Sequence, residues 1–342
     1  MNHGGRLVGI DVARGLLMAY VVCVIHPVFW FRLVPQEVGS ILLFEMPLIF
    51  MISGAAYRLS ERAKPAIVGF KGYCKWVLRR GIRILVPYWA YALVCTVLVL
   101  KYGGSENCLD VLVAWLNPTQ YGEGSSILML NWHLWFVAPF LAVSILLPAI
   151  IFFVPIKKPP LWLLALLATA FVYIFDILDT TKSGWLQTIF FYLVWTVFGF
   201  SLTSKPTLFG SRCYLKLFAM SFIVLSVLFI FKQPGITLNM QANKFPPNAI
   251  FFIFSCAWVS IILLFVGRLA SSYSIFLVNS ILLKPFIYAG YSIYLWQGLG
   301  YSIAQWLGMK FDLNVAIVTA CAISLSIVLG LVASPIERLR LR

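Results

Sequence analysis

Apolar runs about 18–25 residues long recur along the whole of this chain, the length a helix needs to cross the hydrocarbon core of a bilayer. No soluble fold could bury them all. Composition agrees, since 62% of the 342 residues are apolar and 11% charged, and this overrides the two soluble domains that length alone would suggest. The expected architecture is all-α: one polytopic membrane helix bundle over residues 1–342, with about ten transmembrane helices. The spans fall near 7–31, 37–58, 84–101, 132–154, 160–176, 185–203, 212–231, 249–268, 285–306 and 313–334. Turn residues separate them, as at Lys157-Lys158-Pro159-Pro160, Gln233-Pro234-Gly235 and Pro246-Pro247. No internal repeat is visible, which weighs against the inverted-repeat plan of many transporters.

Basic residues set the orientation. With the N-terminus inside, nineteen of the 26 Lys and Arg fall in cytoplasmic segments. Six fall outside, namely Arg32, Lys101, Lys182, Lys232, Lys244 and Lys310, and Arg14 lies within the first span. This bias places both termini in the cytoplasm. It also explains the net charge of +15 by lipid headgroups and topology rather than nucleic acid, which is not an expected partner. The seven cysteines show no C-x-x-C pair or metal spacing, so neither a disulfide framework nor a metal is expected. Arg6 before an apolar run imitates a signal peptide, but the run is long, carries ionisable groups and lacks a small-x-small cleavage site.

That first run, Arg6 to Trp30, holds Asp11, Arg14 and His26. Each costs about 2.5–3.5 kcal/mol at a helix centre on insertion scales, so three are not there for stability alone. A neutral imidazole is the usual general base for a hydroxyl, which makes His26 the catalytic candidate; a histidine hydrogen-bonded between helices is the plain alternative. Pro27 would bend the helix and free a backbone carbonyl. Asp11 and Arg14, one turn apart, can pair on one face, and Arg14 is also suited to a phosphate. Glu45 is the only acid within the second span; it would hold the His26 tautomer if the two spans pack together, or stand as a structural Glu facing a polar cavity. Arg79, Arg80 and Arg83 at the mouth of the third span suit lipid headgroups or a donor with several phosphates. The basic 58–83 segment is expected to form an interfacial helix. The segment Tyr102 to Asn131, about 30 residues, is long enough for a partly structured cap. Asn131, Trp132, His133 and Trp135 at the mouth of the fourth span offer aromatic faces to sugar rings, or form an interfacial belt.

Taken in order, Asp11-Val12-Ala13-Arg14-Gly15 with His26, Met46-Pro47-Leu48 through Ser53-Gly54, and Arg80-x-x-Arg83 through Pro87-Tyr88 form a recognisable set. His133-Leu134-Trp135-Phe136, Lys244-Phe245-Pro246-Pro247, Tyr291-Ser292-Ile293-Tyr294-Leu295-Trp296 and Ile336-Glu337-Arg338 continue it. The chain resembles the acyltransferase-3 family in this respect. The resemblance implies a multi-pass O-acyltransferase of the inner, cytoplasmic membrane. Such an enzyme takes an acetyl or other short acyl group from acetyl-CoA to a hydroxyl of a cell-envelope or exported carbohydrate. His26 and Glu45 then read as catalytic and Arg14, Arg79, Arg80 and Arg83 as donor-binding. Asn131, His133, Trp135, Lys244 and Gln297 read as acceptor-binding, and Asp11, Ser53 and Tyr294 as structural support. A transporter or flippase of an amphipathic glycan or lipid is the rival reading.

Two departures matter. Family members usually carry ten residues between the arginine and histidine of the first span; here there are eleven. An 11-residue step along an α-helix rotates by about 20°, a 12-residue step by about 120°. Either a π-bulge lies near Val21 to Ile25 or Arg14 and His26 serve different faces. Gln297 stands where many relatives carry His, so it can only hydrogen-bond.

Overall fold

The structure is a computed structural model and describes residues 8–63, 67, 69–104, 107–124, 126–153, 184–204, 210–231, 237 and 239–337. The described residues are helical, with no strand. The first helix, α1 (Val8–Tyr20), passes through a π-helical turn (Val21–Ile25) into α2 (His26–Trp30). Then follow α3 (Gln36–Ser40), α4 (Glu45–Ala63), α5 (Gly69–Tyr102) and α6 (Cys108–Leu116). A 3-10 turn (Leu134–Phe136) leads into α7 (Val137–Phe153), and the chain goes on through α8 (Gly184–Ser204), α9 (Ser211–Phe231) and α10 (Met240–Lys244). Three long helices close it: α11 (Ala249–Asn279), α12 (Lys284–Phe311) and α13 (Val315–Glu337).

Among the described residues, seven helical stretches are long and apolar enough to cross a membrane: Gly9–Trp30, Gln36–Glu61, Gly69–Tyr102, Leu134–Ile151, Gly184–Thr203, Ser211–Phe231 and Val315–Glu337. Ala249–Phe265 is a shorter apolar stretch at the start of α11, and the expected ninth span lies within α12. The expected fifth span, 160–176, lies outside the described residues. The interfacial helix expected over 58–83 is not a separate element. Its second half is the beginning of α5, which runs 34 residues without a break. Lys, Arg and Leu are strong helix formers, and Pro87 is the only proline in the run. At 1.5 Å per residue α5 is about 51 Å long, more than the ~30 Å hydrocarbon core, so its basic end extends beyond what lipid would cover.

The chain divides into two compact units. The first comprises Met1–Ala13, Val34–Val68 and Ala142–Leu277. Its heart is α4 lying along α8. A Cβ at Gly54 would collide with the Thr196 carbonyl, and one at Gly199 with the Met51 carbonyl. The two glycines therefore let the backbones touch, the small-residue packing that serves where lipid offers no hydrophobic driving force. Phe50 stacks on Tyr192 at 4.2 Å, and the Tyr57 ring lies 6.2 Å from Phe200. The glycine contacts mark where the helices cross, and the ring contacts on either side, Phe50 with Tyr192 and Tyr57 with Phe200, advance in step, so α4 and α8 run in the same direction.

The second unit comprises Arg14–Leu33, Gly69–Leu141 and Val278–Arg342. Here α12 and α13 form an antiparallel pair, again brought close by glycine: Gly300 against Ser326 and Gly330 against Ile293. Asp312 ends α12 in the left-handed region, φ 49°. Within α12 the backbone kinks at Ala289. The Glu337 carboxylate then accepts from both the Ser292 N–H (3.1 Å) and its hydroxyl (2.8 Å), so it caps the helix that restarts after the kink. The 102–131 segment is indeed partly structured. Its α6 is pinned to α5 by the Tyr88 hydroxyl, donating to the Trp115 carbonyl at 2.6 Å, and by the Trp89 indole, donating to the Leu116 carbonyl at 3.0 Å.

Because the α4–α8 contact is backbone against backbone, Gly54→Leu cannot be absorbed by a rotamer change. It should destabilise the protein by at least about 1–3 kcal/mol, the usual cost of overpacking. The check is a lowered thermal midpoint in detergent relative to an exposed control such as Val97→Leu; equal midpoints would contradict the packing described.

Candidate functional site

His26 opens α2, directly after the π turn. Its N–H bonds to the Val21 carbonyl, five residues back, so the turn takes up one extra residue. With that residue absorbed, the step from Arg14 to His26 behaves as an 11-residue step, and the two positions return to within about 20° of one face.

The His26 side chain is buried, and its Nδ1 lies 2.8 Å from Oε1 of Gln297, a buried residue on α12. An amide oxygen can only accept, so Nδ1–H donates and the basic lone pair sits on Nε2. Glu45 was the expected partner. A neutral amide does the same orienting job without adding a charge. Trp30, one turn after His26, stacks on the imidazole at 4.6 Å with the planes 3° apart.

His133 faces this pair, with ring centroids 6.4 Å apart. Its Nε2–H donates to the Leu295 carbonyl at 2.9 Å, and the Tyr294 hydroxyl donates to the His133 carbonyl. The rings of Trp30, Tyr91 and Tyr294 stand edge-on around His133 at 5.8, 5.9 and 5.3 Å. Gly298 makes room for them, because a Cβ there would meet the Tyr91 hydroxyl, His133 and the Leu130 carbonyl. Two buried atoms of this cluster have no hydrogen-bond partner among the described residues: His133 Nδ1, an acceptor, and Gln297 Nε2, a donor. Buried polar groups are nearly always paired, and each left bare costs about 1–3 kcal/mol. One acceptor and one donor, beside an imidazole of defined tautomer, suit a ligand carrying both a hydroxyl and a carbonyl.

The arginines gather elsewhere in the same unit. Arg79 and Arg83 are exposed and Arg80 half-buried, with the Arg80 guanidinium 5.4 Å from the centre of the Phe140 ring. The charges of Arg83 and Arg14 lie close enough to act on Arg80. Such a gathering of guanidiniums matches phosphate oxygens. Asn131 is buried, its carbonyl accepting the Leu134 N–H at 2.9 Å. Trp132 is exposed, while Trp135 is half-buried against Phe136 at 6.4 Å. Asp11 lies in the first turn of α1.

Glu45 and Lys244 have a different setting from the one expected. They belong to the first unit and form a buried ion pair, Nζ to Oε1 2.5 Å. The pair therefore binds α10 to the start of α4, near the Gln187 amide that donates to the Pro247 carbonyl at 2.9 Å. Ser53 is half-buried one turn before Tyr57 in α4. Sequence reasoning missed Trp30, Tyr91 and Gly298. The first was readable as four residues past His26, hence on its face; the others carry no local signal.

A family model described as an acyltransferase domain, that of the acyltransferase-3 family, matches residues 7–334. No curated protein and no solved structure matches.

Removing one partner of a buried ion pair leaves the other charge uncompensated. Glu45→Gln and Lys244→Met should each destabilise by about 3–5 kcal/mol, with the double variant recovering much of the loss. Additive losses in detergent melts would show that the two side chains act independently.

Proposed function

The chain belongs to the acyltransferase-3 family, and we propose that it is a membrane O-acetyltransferase using acetyl-CoA and a carbohydrate hydroxyl. The observation that carries the proposal is the buried His26–Gln297 pair, in which the basic lone pair is held on Nε2. That nitrogen removes the proton of the acceptor hydroxyl as its oxygen attacks the thioester carbonyl. Gln297 Oε1 keeps its bond to Nδ1–H while the ring carries the proton, favouring the imidazolium. The tetrahedral intermediate then collapses, the C–S bond breaks, and the imidazolium returns the proton to the departing thiolate. Coenzyme A and the O-acetyl ester are the products. The exposed Trp132 indole suits a sugar ring, and the guanidiniums of Arg14, Arg80 and Arg83 suit the phosphates of the donor.

In this reading both termini are cytoplasmic, the donor enters from that side of the inner membrane, and the acceptor is an envelope or exported glycan. The nineteen-to-six distribution of basic residues supports the orientation. The shared direction of α4 and α8 supports the count, because the second and sixth of ten spans must run the same way.

Purified protein in liposomes with labelled acetyl-CoA and a candidate glycan tests the mechanism. His26→Ala should lower kcat by a factor on the order of 10²–10⁴, the usual contribution of a general base; full transfer by that variant would sink the assignment. Arg14→Ala and Arg80→Ala should raise the donor KM with little change in kcat, and an unchanged KM would remove the phosphate clamp. Glycan counterflow without coenzyme A release would replace the enzyme by the transport reading.

A further inference from the structure

The first helix changes register immediately before its histidine. In the π register of Val21–Ile25 the Val22 carbonyl would be met by the N–H of residue 27. Residue 27 is proline, which has no N–H. A buried carbonyl without a donor is as costly as a lost hydrogen bond, and inside a bilayer no water replaces it.

The donor comes from α12. The Tyr301 hydroxyl donates to the Val22 carbonyl at 2.7 Å, across 279 residues of sequence. Its ring is fully buried, edge-on to Trp30 at 4.5 Å and parallel to Phe31 at 5.3 Å. Trp30 in turn carries the His26 ring on its face. One side chain therefore holds both the turn that sets the azimuth of His26 and the indole that supports its ring. Without the π turn, His26 would leave the helix about 100° away.

We propose that Tyr301 is a positioning residue for His26: its hydroxyl replaces the backbone donor that Pro27 lacks and so holds the π turn in register. The proposal rests on the acyl-transfer reading for its effect on rate, but its structural half can be tested without it.

The experiment compares wild type, Tyr301→Phe and a variant with 4-aminophenylalanine at position 301, all in lipid nanodiscs. Phenylalanine keeps the ring packing and loses the donor; the amine restores a donor at the same place. Tyr301→Phe should lower kcat about 10- to 100-fold, the scale on which misplacing a reacting group by about an ångström acts, with both KM values unchanged. The amine should return kcat to within about threefold of wild type, since it makes the same contact. Amide hydrogen exchange over residues 20–31 should be faster in Tyr301→Phe and normal in the amine variant. Wild-type kcat and exchange in Tyr301→Phe overturn the proposal, as does an amine variant no better than phenylalanine. Absence of acyl transfer by wild type sinks the proposed activity instead. The exchange comparison then decides Tyr301 alone, with equal rates overturning its role and restoration by the amine sustaining it.

Discussion

A polar group inside a bilayer must find its partner within the protein, because the surrounding hydrocarbon offers none. That requirement organises this chain more than any apolar contact does. Pro27 deprives a turn of a donor and Tyr301 returns it. The Ala289 kink frees an N–H, and Glu337 accepts it. Within the first unit the buried Lys244 is met by Glu45. Each repair links residues far apart in sequence, so satisfying the backbone and the charges also specifies how the helices assemble.

Against that background the cluster around His26 stands out. Gln297 and His133 are almost completely buried, yet each retains one hydrogen-bonding atom with no partner among the described residues. Other buried side-chain atoms among the described residues are without a partner too, Trp195 Nε1 and Ser260 Oγ among them; what sets these two apart is that they lie beside an oriented imidazole. They are where the chemistry is expected to enter, and the close approach that assembles them depends on glycine, above all Gly298.

Some of this was legible in sequence. Long apolar runs announced membrane helices, and the ordered motifs announced the family, now shown by a match over residues 7–334. The extra residue between Arg14 and His26 posed a phase problem that a π turn at Val21–Ile25 would solve, and the turn is there. Such reasoning succeeds because helical phase is a local property, countable residue by residue. Glu45 misled for the opposite reason. A histidine in the first span and an acid in the second invite pairing, but nothing local reveals that Lys244 and Gln297 arrive from 199 and 271 residues away. The basic stretch before Pro87 misled too, since charge patterning marks where lipid ends and says nothing about where a helix ends.

Sequence by itself determined that the chain is helical and membrane-embedded, which family it belongs to, and that its first span must change register to bring Arg14 and His26 to one face. Those follow from hydropathy, motif order and 3.6-residue periodicity, all carried by neighbouring residues. Only the tertiary structure decided which side chain holds the His26 tautomer, which hydroxyl meets the carbonyl at Val22, and where the charge of Glu45 is spent. Hydrogen bonds are directional and short, so their partners are chosen by how helices pack, and packing is set by the whole chain at once.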